Sequence, residues 1–369
     1  MDRRDFVKGA AASAVGVHLP TLVGNNDAMQ SGAPAAPNPR ALIMDAMGEL
    51  RPIYQPPLVR EMLGSGTDSI TVTLCDPKAV GAEALELAVD GLMEYDRYLA
   101  EHPDLFVKAT SVADVDVAQR SGRMAVFYLY QNATQFDDDL DRVDMFHRLG
   151  LTSCQITYNE RNLAGVGCRA EGDDAERGLT EFGRELVDRM NAVGMLVDLS
   201  HANMRTMADV IEHSRMPTII SHTGCNAVHE HVRNTTDENL RLLADRGGVV
   251  GVCQLRPFLT FKKQDNLHAY FDHIDHAVQV AGIDHVCIGS DRDHRVIQMT
   301  PEYIAELRAE EGSQVVNSEL PYFIDELNGP RRMEVVWDGL AGRGYPEDDI
   351  EKVMGRNLYG VYQEVMGRG

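Results

Sequence analysis

Two histidines and an aspartate follow three separate apolar runs of the sequence. His201 comes directly after residues 195–200, His222 after residues 217–221, and Asp291 after residues 285–290. Neutral imidazoles bind divalent ions such as zinc, the bound ion lowers the pKa of a water molecule to about 7, and a neighbouring carboxylate can move the released proton. If the three runs are strands that end at the same edge of a fold, these residues predict a metal-dependent hydrolase.

Short apolar runs alternate with longer amphipathic stretches from residue 41 onward, an order that is typical of repeated βα units on a parallel sheet. Each run is almost continuously apolar, as expected for a strand that is covered on both faces. The predicted strands are residues 41–45, 69–74, 124–130, 153–158, 195–200, 217–221, 248–253 and 285–290. Eight such units predict an α/β fold of the (β/α)8 TIM-barrel type, with an open doubly wound sheet as the alternative. Barrels of this type carry their catalytic residues at the carboxyl ends of the strands.

The charge of the chain excludes some classes of partner. It contains 57 Asp and Glu against 35 Lys and Arg, which gives a formal net charge of −22. An acidic surface repels phosphate backbones and lacks the basic stripe that supplies affinity for nucleic acid. We therefore expect no nucleic-acid partner. Beyond residue 40 we find no uninterrupted apolar stretch of about 18 residues, so the sequence predicts no stable membrane anchor.

The first forty residues differ in composition from the rest of the chain. Arg3 and Arg4 precede Phe6 and Lys8, and a run of small apolar residues follows at 9–17, an order that resembles a twin-arginine export signal. Residues 25–39 are rich in Asn, Ser, Gly, Ala and Pro, which is typical of an unstructured spacer. We therefore predict an export signal and spacer over residues 1–40, a single barrel domain over residues 41–369, and a periplasmic or secreted location.

Other polar clusters and the cysteines favour a structural interpretation. The six cysteines lie far apart without a C-x-x-C pair, which favours buried thiols, with a bridge between Cys168 and Cys225 as the alternative. Residues 229–231 (His-Glu-His) do not follow a predicted strand, and residues 272–276 fit the exposed face of a helix. The acidic run 137–141 lacks the glycine and terminal glutamate of a calcium loop. None of these clusters is predicted to bind a metal.

An ordered set of motifs extends over most of residues 41–362. The motifs are Gly178-Leu179-Thr180-x-Phe182-Gly183, Met190-Asn191-x-x-Gly194-Met195, Asp198-Leu199-Ser200-His201, Ser221-His222, Arg233-Asn234-x-x-Asp237, Gly247-Gly248, Ile288-Gly289-Ser290-Asp291-x-Asp293 and Gly355-x-Asn357. This set resembles the membrane (renal) dipeptidase family of zinc metallopeptidases. The resemblance implies a (β/α)8 barrel with two zinc ions, bridged by a water and a glutamate, that hydrolyses dipeptides, in some members those with a D-residue at the C-terminal side.

The resemblance also implies a role for four site residues. His201 and His222 would hold one zinc ion, Asp291 would be a ligand of the other ion and the proton carrier, and Arg233 would bind the polar end of the substrate. An alternative interpretation of Arg233 is a surface arginine that pairs with Asp237 one turn away. The implied partner is a small dipeptide-like substrate, and because relatives are commonly dimers, the resemblance implies a homodimer.

The sequence departs from the family at the first four predicted strands. Met47 stands where the family has a histidine ligand, and Glu49 stands where it has an aspartate ligand. Gln131 replaces the bridging glutamate and supplies one neutral oxygen without a charge. Tyr158 follows the fourth predicted strand, where mammalian members have a histidine near the substrate, and its hydroxyl can polarise a carbonyl.

These departures leave fewer anionic ligands to compensate two divalent ions. We therefore expect one firmly bound zinc ion rather than two, held by His201 and His222 together with Gln131 or Asp291, while Glu49 is retained as a candidate ligand.

Two classes of function follow from the sequence. The first is a metal-dependent dipeptidase with a mononuclear site, which Asp291, Arg233 and Glu49 favour. The second is a degenerate dipeptidase-fold binding protein, or an amidohydrolase with a different small amide substrate, which Met47 and Gln131 favour. A screen of dipeptide hydrolysis separates the two.

Overall fold

Eight parallel strands close into a barrel in the computed structural model, which describes residues 41–263, 266–311, 316 and 320–367. The predicted (β/α)8 barrel is therefore confirmed. The strands are β1 (Met44–Asp45), β2 (Ser69–Thr73), β3 (Phe106–Lys108), β4 (Met124–Tyr130), β5 (Leu151–Gln155), β6 (Leu196–Asp198), β7 (Ile219–Thr223), β8 (Val249–Val252) and β9 (Val286–Ile288). The predicted export signal and spacer, residues 1–40, lie outside the described residues. Across the described ranges, every helix is too short or too polar to cross a membrane.

The barrel closes through two pairings between strands that are not consecutive along the chain. β2 pairs with β4, and β1 pairs with β9 through Asp45 and Ile288. β3 lies outside the ring, because it pairs only with the first residues of β4, while β5 pairs with the last ones. The sequence did not predict β3, since three residues are too few to show a periodic pattern. The predicted fourth strand, 153–158, in fact starts at Leu151 and ends at Gln155.

Helices follow most of the strands and cover the outside of the barrel. They are α1 (Pro56–Gly64), α2 (Gly81–Glu101), α3 (Val112–Ser121), α4 (Asp141–Arg148), α5 (Glu181–Val193), α6 (Met204–His213), α7 (Asp237–Asp245), α8 (Leu267–Ala281), α9 (Pro301–Glu311), α10 (Arg332–Gly342), α11 (Glu347–Glu351) and α12 (Asn357–Met366). Side-chain caps begin several of them, because the Thr180, Asn203 and Thr236 side chains accept hydrogen bonds from the first turns of α5, α6 and α7.

The C-terminal helix covers the amino-terminal end of the barrel. Leu358 and Tyr362 of α12 pack in one buried cluster with residues that begin the strands, among them Ala125 and Val249. The Tyr362 hydroxyl lies 2.6 Å from the hydroxyl of Thr71 in β2. All six cysteines are free thiols, and four of them are buried as predicted, whereas Cys75 and Cys168 are half-buried. Cys287 belongs to the same cluster. With this end closed, the carboxyl ends of the strands are left to form the site.

Two glycines allow β7 to approach its neighbours closely. A Cβ on Gly251 in β8, or on Gly289 directly after β9, would overlap the carbonyl oxygen of Ser221. Because Ser221 directly precedes His222, the close approach that these glycines allow helps to position one candidate metal ligand.

We expect Gly289→Ala to lower the free energy of unfolding by about 1–3 kcal/mol, because the barrel strands must separate to accept the methyl group. Urea denaturation followed by circular dichroism measures this change. Gly360→Ala is the matched control, since Gly360 lies exposed in α12 with nothing within 4 Å of the point that a Cβ would occupy. The control is expected to stabilise the protein by up to about 1 kcal/mol. Equal stability of the two variants would contradict the close approach.

Candidate active site

His201 and His222 come together at the carboxyl ends of β6 and β7. Their Nε2 atoms lie 3.0 Å apart, and both side chains are buried. His201 has a φ of 68°, a left-handed conformation that is costly for a residue with a side chain. Such strain persists only where the surrounding structure holds it, and it is concentrated at functional sites.

The acceptors that Nδ1 contacts set the tautomers of the two histidines. The Ser221 hydroxyl donates to Asp198 Oδ2 at 2.6 Å, so its oxygen accepts from Nδ1 of His222 at 2.8 Å. Nδ1 of His201 donates to Oδ1 of Asn159 at 2.7 Å. Each neutral ring therefore carries its proton on Nδ1 and directs the lone pair of Nε2 towards the other ring.

This arrangement fits one divalent metal ion. Burial, and then the charge of Arg233, lower the pKa of both histidines well below the ordinary value, so both rings are neutral. Two lone pairs that face each other at 3.0 Å repel unless a cation lies between them. Two nitrogens bound to one tetrahedral zinc ion at about 2.0–2.1 Å would lie about 3.3 Å apart. Within the described residues, His, Cys, Asp and Glu side chains form no group of three or more that could hold an ion.

Tyr158 and Asn159 contact the histidine pair from the loop after β5. The phenol of Tyr158 stacks against His201, with ring centroids 4.1 Å apart and an angle of 26° between the planes. The sequence analysis gave no role to Asn159, Ser221 or Asp198. Asn159 directly follows Tyr158, Ser221 directly precedes His222, and Asp198 lies three residues before His201. Their positions near predicted site residues were the only sign in the sequence that they belong to the site. Only the fold shows that these three side chains orient the imidazoles.

Arg233 is a buried cation beside the histidines. It is 2% exposed, and its Nη1 and Nη2 atoms have no hydrogen-bond partner in the described part of the chain. Its guanidinium lies 5.3 Å from the centre of the Phe258 ring. The alternative of a surface pair with Asp237 is wrong, because Asp237 pairs with Arg241 and His276 instead. Two unpaired donors on one guanidinium match the two oxygens of a carboxylate.

Asp291 lies at the end of β9 beside the segment that follows β1. Its amide donates to the carbonyl of Met47 at 2.8 Å, and its φ of 53° is again left-handed. Oδ2 of Asp291 lies 4.0 Å from Sγ of Cys253, the residue directly after β8. Two of the three non-glycine residues with positive φ in the described chain, His201 and Asp291, are thus predicted site residues.

Three of the four departures from the family motifs, Met47, Glu49 and Gln131, lie in different surroundings. Glu49 accepts a hydrogen bond from Nε of Arg51 at 2.5 Å, and the pair forms a salt bridge, so its charge is compensated within the chain. Met47 is 2% exposed, and Gln131, directly after β4, is 8% exposed. Metal binding by Glu49, Gln131 and Asp291 stays a prediction.

Comparison with known proteins identifies relatives of the chain. The family model described as membrane dipeptidase, peptidase family M19, matches residues 53–307. An uncharacterized dipeptidase of Schizosaccharomyces pombe is 34% identical over 192 residues, which cover 51% of this chain and 46% of that protein. Dipeptidase tcpJ of Claviceps purpurea is 28% identical over 271 residues, which cover 73% of this chain and 57% of that protein. The chain therefore spans about half the length of these relatives.

Solved structures share the fold. An amidohydrolase from Pseudomonas aeruginosa is 28% identical with a TM-score of 0.78, and the match covers 89% of this chain and 98% of that one. A metallopeptidase from Rhodobacter sphaeroides, liganded with a phosphinate mimic of the dipeptide L-Ala-D-Ala, is 20% identical with a TM-score of 0.70 and covers 88% and 99%. At that identity the second match supports the fold alone.

We expect Ser221→Ala to weaken metal binding by about 10–100-fold, because His222 loses the acceptor that keeps its proton on Nδ1. Competition with a chromophoric chelator measures the affinity for zinc. Ser153→Ala is the matched control, since it removes another buried hydroxyl of a barrel strand whose hydrogen bond goes to the carbonyl of Tyr128. An unchanged affinity in Ser221→Ala, or an equal loss in both variants, would contradict the assigned tautomer.

Proposed function

The chain belongs to the membrane dipeptidase family, peptidase family M19, and on this premise we propose that it is an active metal-dependent dipeptidase. The observation that carries the proposal is the pair of facing Nε2 atoms of His201 and His222, with the unpaired guanidinium of Arg233 beside them. A metal ligand pair and a carboxylate-binding group at one rim are the two features that hydrolysis of a small peptide requires.

His201 and His222 would hold the ion, and zinc suits their imidazole nitrogens. When bound, a divalent ion supplies Lewis acidity that polarises the peptide carbonyl and acidifies a water molecule. Asn159 and Ser221 keep the two rings oriented by accepting hydrogen bonds from Nδ1 of His201 and His222.

The other site residues bind the substrate and move protons. Arg233 would bind the terminal carboxylate of the dipeptide through Nη1 and Nη2, since both donors are buried and unpaired. The Asp291 carboxylate would take the proton of the attacking water and deliver it to the departing amine. Tyr158, held against His201 by its stacked ring, would donate a hydrogen bond from its hydroxyl to the carbonyl oxygen and so polarise the carbonyl.

We propose a single firmly bound ion. Glu49 is engaged by Arg51, and the neighbouring Met47 offers a thioether, which is a poor ligand for zinc beside oxygen donors. Gln131 brings no charge to hold two cations together. These features remove anionic ligands from the first and third predicted strands but leave the histidine pair intact.

A second candidate function is the hydrolysis of a different small amide. The 28%-identical structure from Pseudomonas aeruginosa bears the name amidohydrolase, and the changed residues around β1 and β4 favour a changed substrate. A screen of dipeptide hydrolysis distinguishes this candidate from the first.

We expect hydrolysis of L,L or L,D dipeptides that disappears with a chelator and returns with zinc. Asp291→Asn should lower kcat by about 10²–10⁴-fold, because the amide cannot accept the proton. Asp104→Asn, at an exposed carboxylate paired with Arg60, is the control and should leave kcat unchanged. Activity that survives Asp291→Asn removes this residue from the mechanism. No hydrolysis of any dipeptide with zinc supplied would favour a binding protein or another amide substrate.

Elemental analysis of the protein, dialysed after loading with zinc, should give about one equivalent per chain, because the site offers one pair of imidazole nitrogens and few carboxylates. His222→Ala should reduce this value to near zero. Two retained equivalents in the unmodified protein would contradict the single-ion proposal.

A further inference from the structure

A second buried guanidinium, that of Arg292, lies directly after Asp291. Arg292 is 1% exposed, and its centre packs 3.6 Å from the centre of the Phe323 ring. Nη2 donates to the neutral amide oxygen of Asn328 at 3.1 Å, whereas Nε and Nη1 have no partner among the described residues. The charge of Arg292 is therefore not compensated by an ion pair in the described chain.

The neighbouring arginines, in contrast to Arg292, have backbone carbonyls or carboxylates as hydrogen-bond partners. Arg332, equally buried, donates to three backbone carbonyls, and Arg51 and Arg295 each pair with a carboxylate. A buried cation without a partner is strongly unfavourable, so, with no partner among the described residues, an anionic ligand is the partner that we expect for Arg292.

His294 adds a second unused donor close to Arg292. Its ring is fully buried, and neither Nδ1 nor Nε2 has a partner in the described structure. His294 lies two residues after Arg292, and Arg332 donates to the carbonyls of Arg292 and Asp293, the two residues before His294. Burial, and then the charges of Arg332 and Arg292, lower the pKa of this ring, so it is neutral. A neutral imidazole carries one N–H, and an anion beside Arg292 would accept it.

Arg292 shares a rim with Arg233. Arg233 packs against the Phe258 ring and Arg292 against the Phe323 ring, and both rings belong to one buried cluster that also contains Cys253, the residue directly after β8. β8 lies between β7 and β9 in the barrel, so Arg233, in the loop after β7, and Arg292, after β9, flank the end of β8 from opposite sides. A ligand held at one end by Arg233 would extend past Asp291 towards Arg292.

We propose that Arg292 forms a second anion subsite and that the preferred substrates are dipeptides with an acidic amino-terminal residue. This inference rests on the proposed function, in which Arg233 binds the terminal carboxylate. The side chain of the amino-terminal residue then lies on the far side of the scissile bond, where Arg292 and His294 offer their unused donors.

Glu-Ala and Gln-Ala test the subsite, because the two dipeptides match in size and differ in one charge. We expect kcat/KM for Glu-Ala to exceed that for Gln-Ala by about tenfold or more. In Arg292→Met this ratio should fall to about one, chiefly through KM for Glu-Ala. Arg295→Met, which removes a paired cation three residues away, is the matched control and should keep the ratio.

If kcat/KM for Glu-Ala and for Gln-Ala are about equal in the unmodified protein, the proposal is wrong. It is also wrong if Arg292→Met folds and keeps the preference for Glu-Ala. Arg292→Lys, which keeps the charge, should retain a preference for Glu-Ala if the methionine variant does not fold. If no dipeptide is hydrolysed, the subsite is tested by calorimetry, which measures the affinity of the zinc-loaded protein for each dipeptide. Binding of Glu-Ala about tenfold tighter than Gln-Ala then supports the subsite although the proposed hydrolysis has failed, and equal affinities overturn it.

Discussion

The buried carboxylate of Asp198 is the group on which the metal-binding half of the site depends. Its Oδ1 accepts hydrogen bonds from the amides of Ser200 and Ser221, and its Oδ2 accepts from the Ser221 hydroxyl and from Gln155. One carboxylate thereby joins the ends of three neighbouring strands, β5, β6 and β7. Because it also makes Ser221 a hydrogen-bond acceptor for His222, the same interaction that holds the strands sets the tautomer of a candidate ligand.

The carboxylate of Asp45 joins neighbouring strands in the same way at the point where the barrel closes. It accepts from the amide and hydroxyl of Ser290, at 2.8 and 2.5 Å, and so joins β1 to β9. Burial raises the pKa of this carboxyl to about 6, an effect that its hydrogen bonds to Ser290 oppose. Asp291 follows Ser290 directly, so closure of the barrel and placement of the proposed proton carrier share one set of hydrogen bonds. The hydrogen bonds of Asp198 and of Asp45 thus both hold barrel strands together and position a candidate site residue.

Charge divides the rim into two parts. Around β6 and β7 the histidines are neutral, buried and oriented, which suits a cation. Around β1 and β9 the chain supplies its own cations, with Arg51 paired to Glu49 and Arg292 unpaired. The guanidinium of Arg292 would disfavour another metal ion in this second part and favour an anionic substrate, because like charges in a buried site repel strongly. The proposed single-ion site and the proposed preference for acidic substrates would then have one electrostatic origin.

The sequence by itself determined the barrel and the candidate residues at its strand ends, because apolar runs of strand length and their order are local properties of the chain. His201, His222 and Asp291 were identified in this way, whereas Arg233 was identified through the resemblance to the family. The three-residue β3 escaped prediction because so short a segment carries no period. Only the tertiary structure decided which polar groups have partners. Asn159 and Ser221 orient the histidines, Arg51 forms an ion pair with Glu49, and Arg292 is buried with no anionic partner among the described residues. Such pairing depends on distances between loops of different strands, which no local pattern of residues encodes.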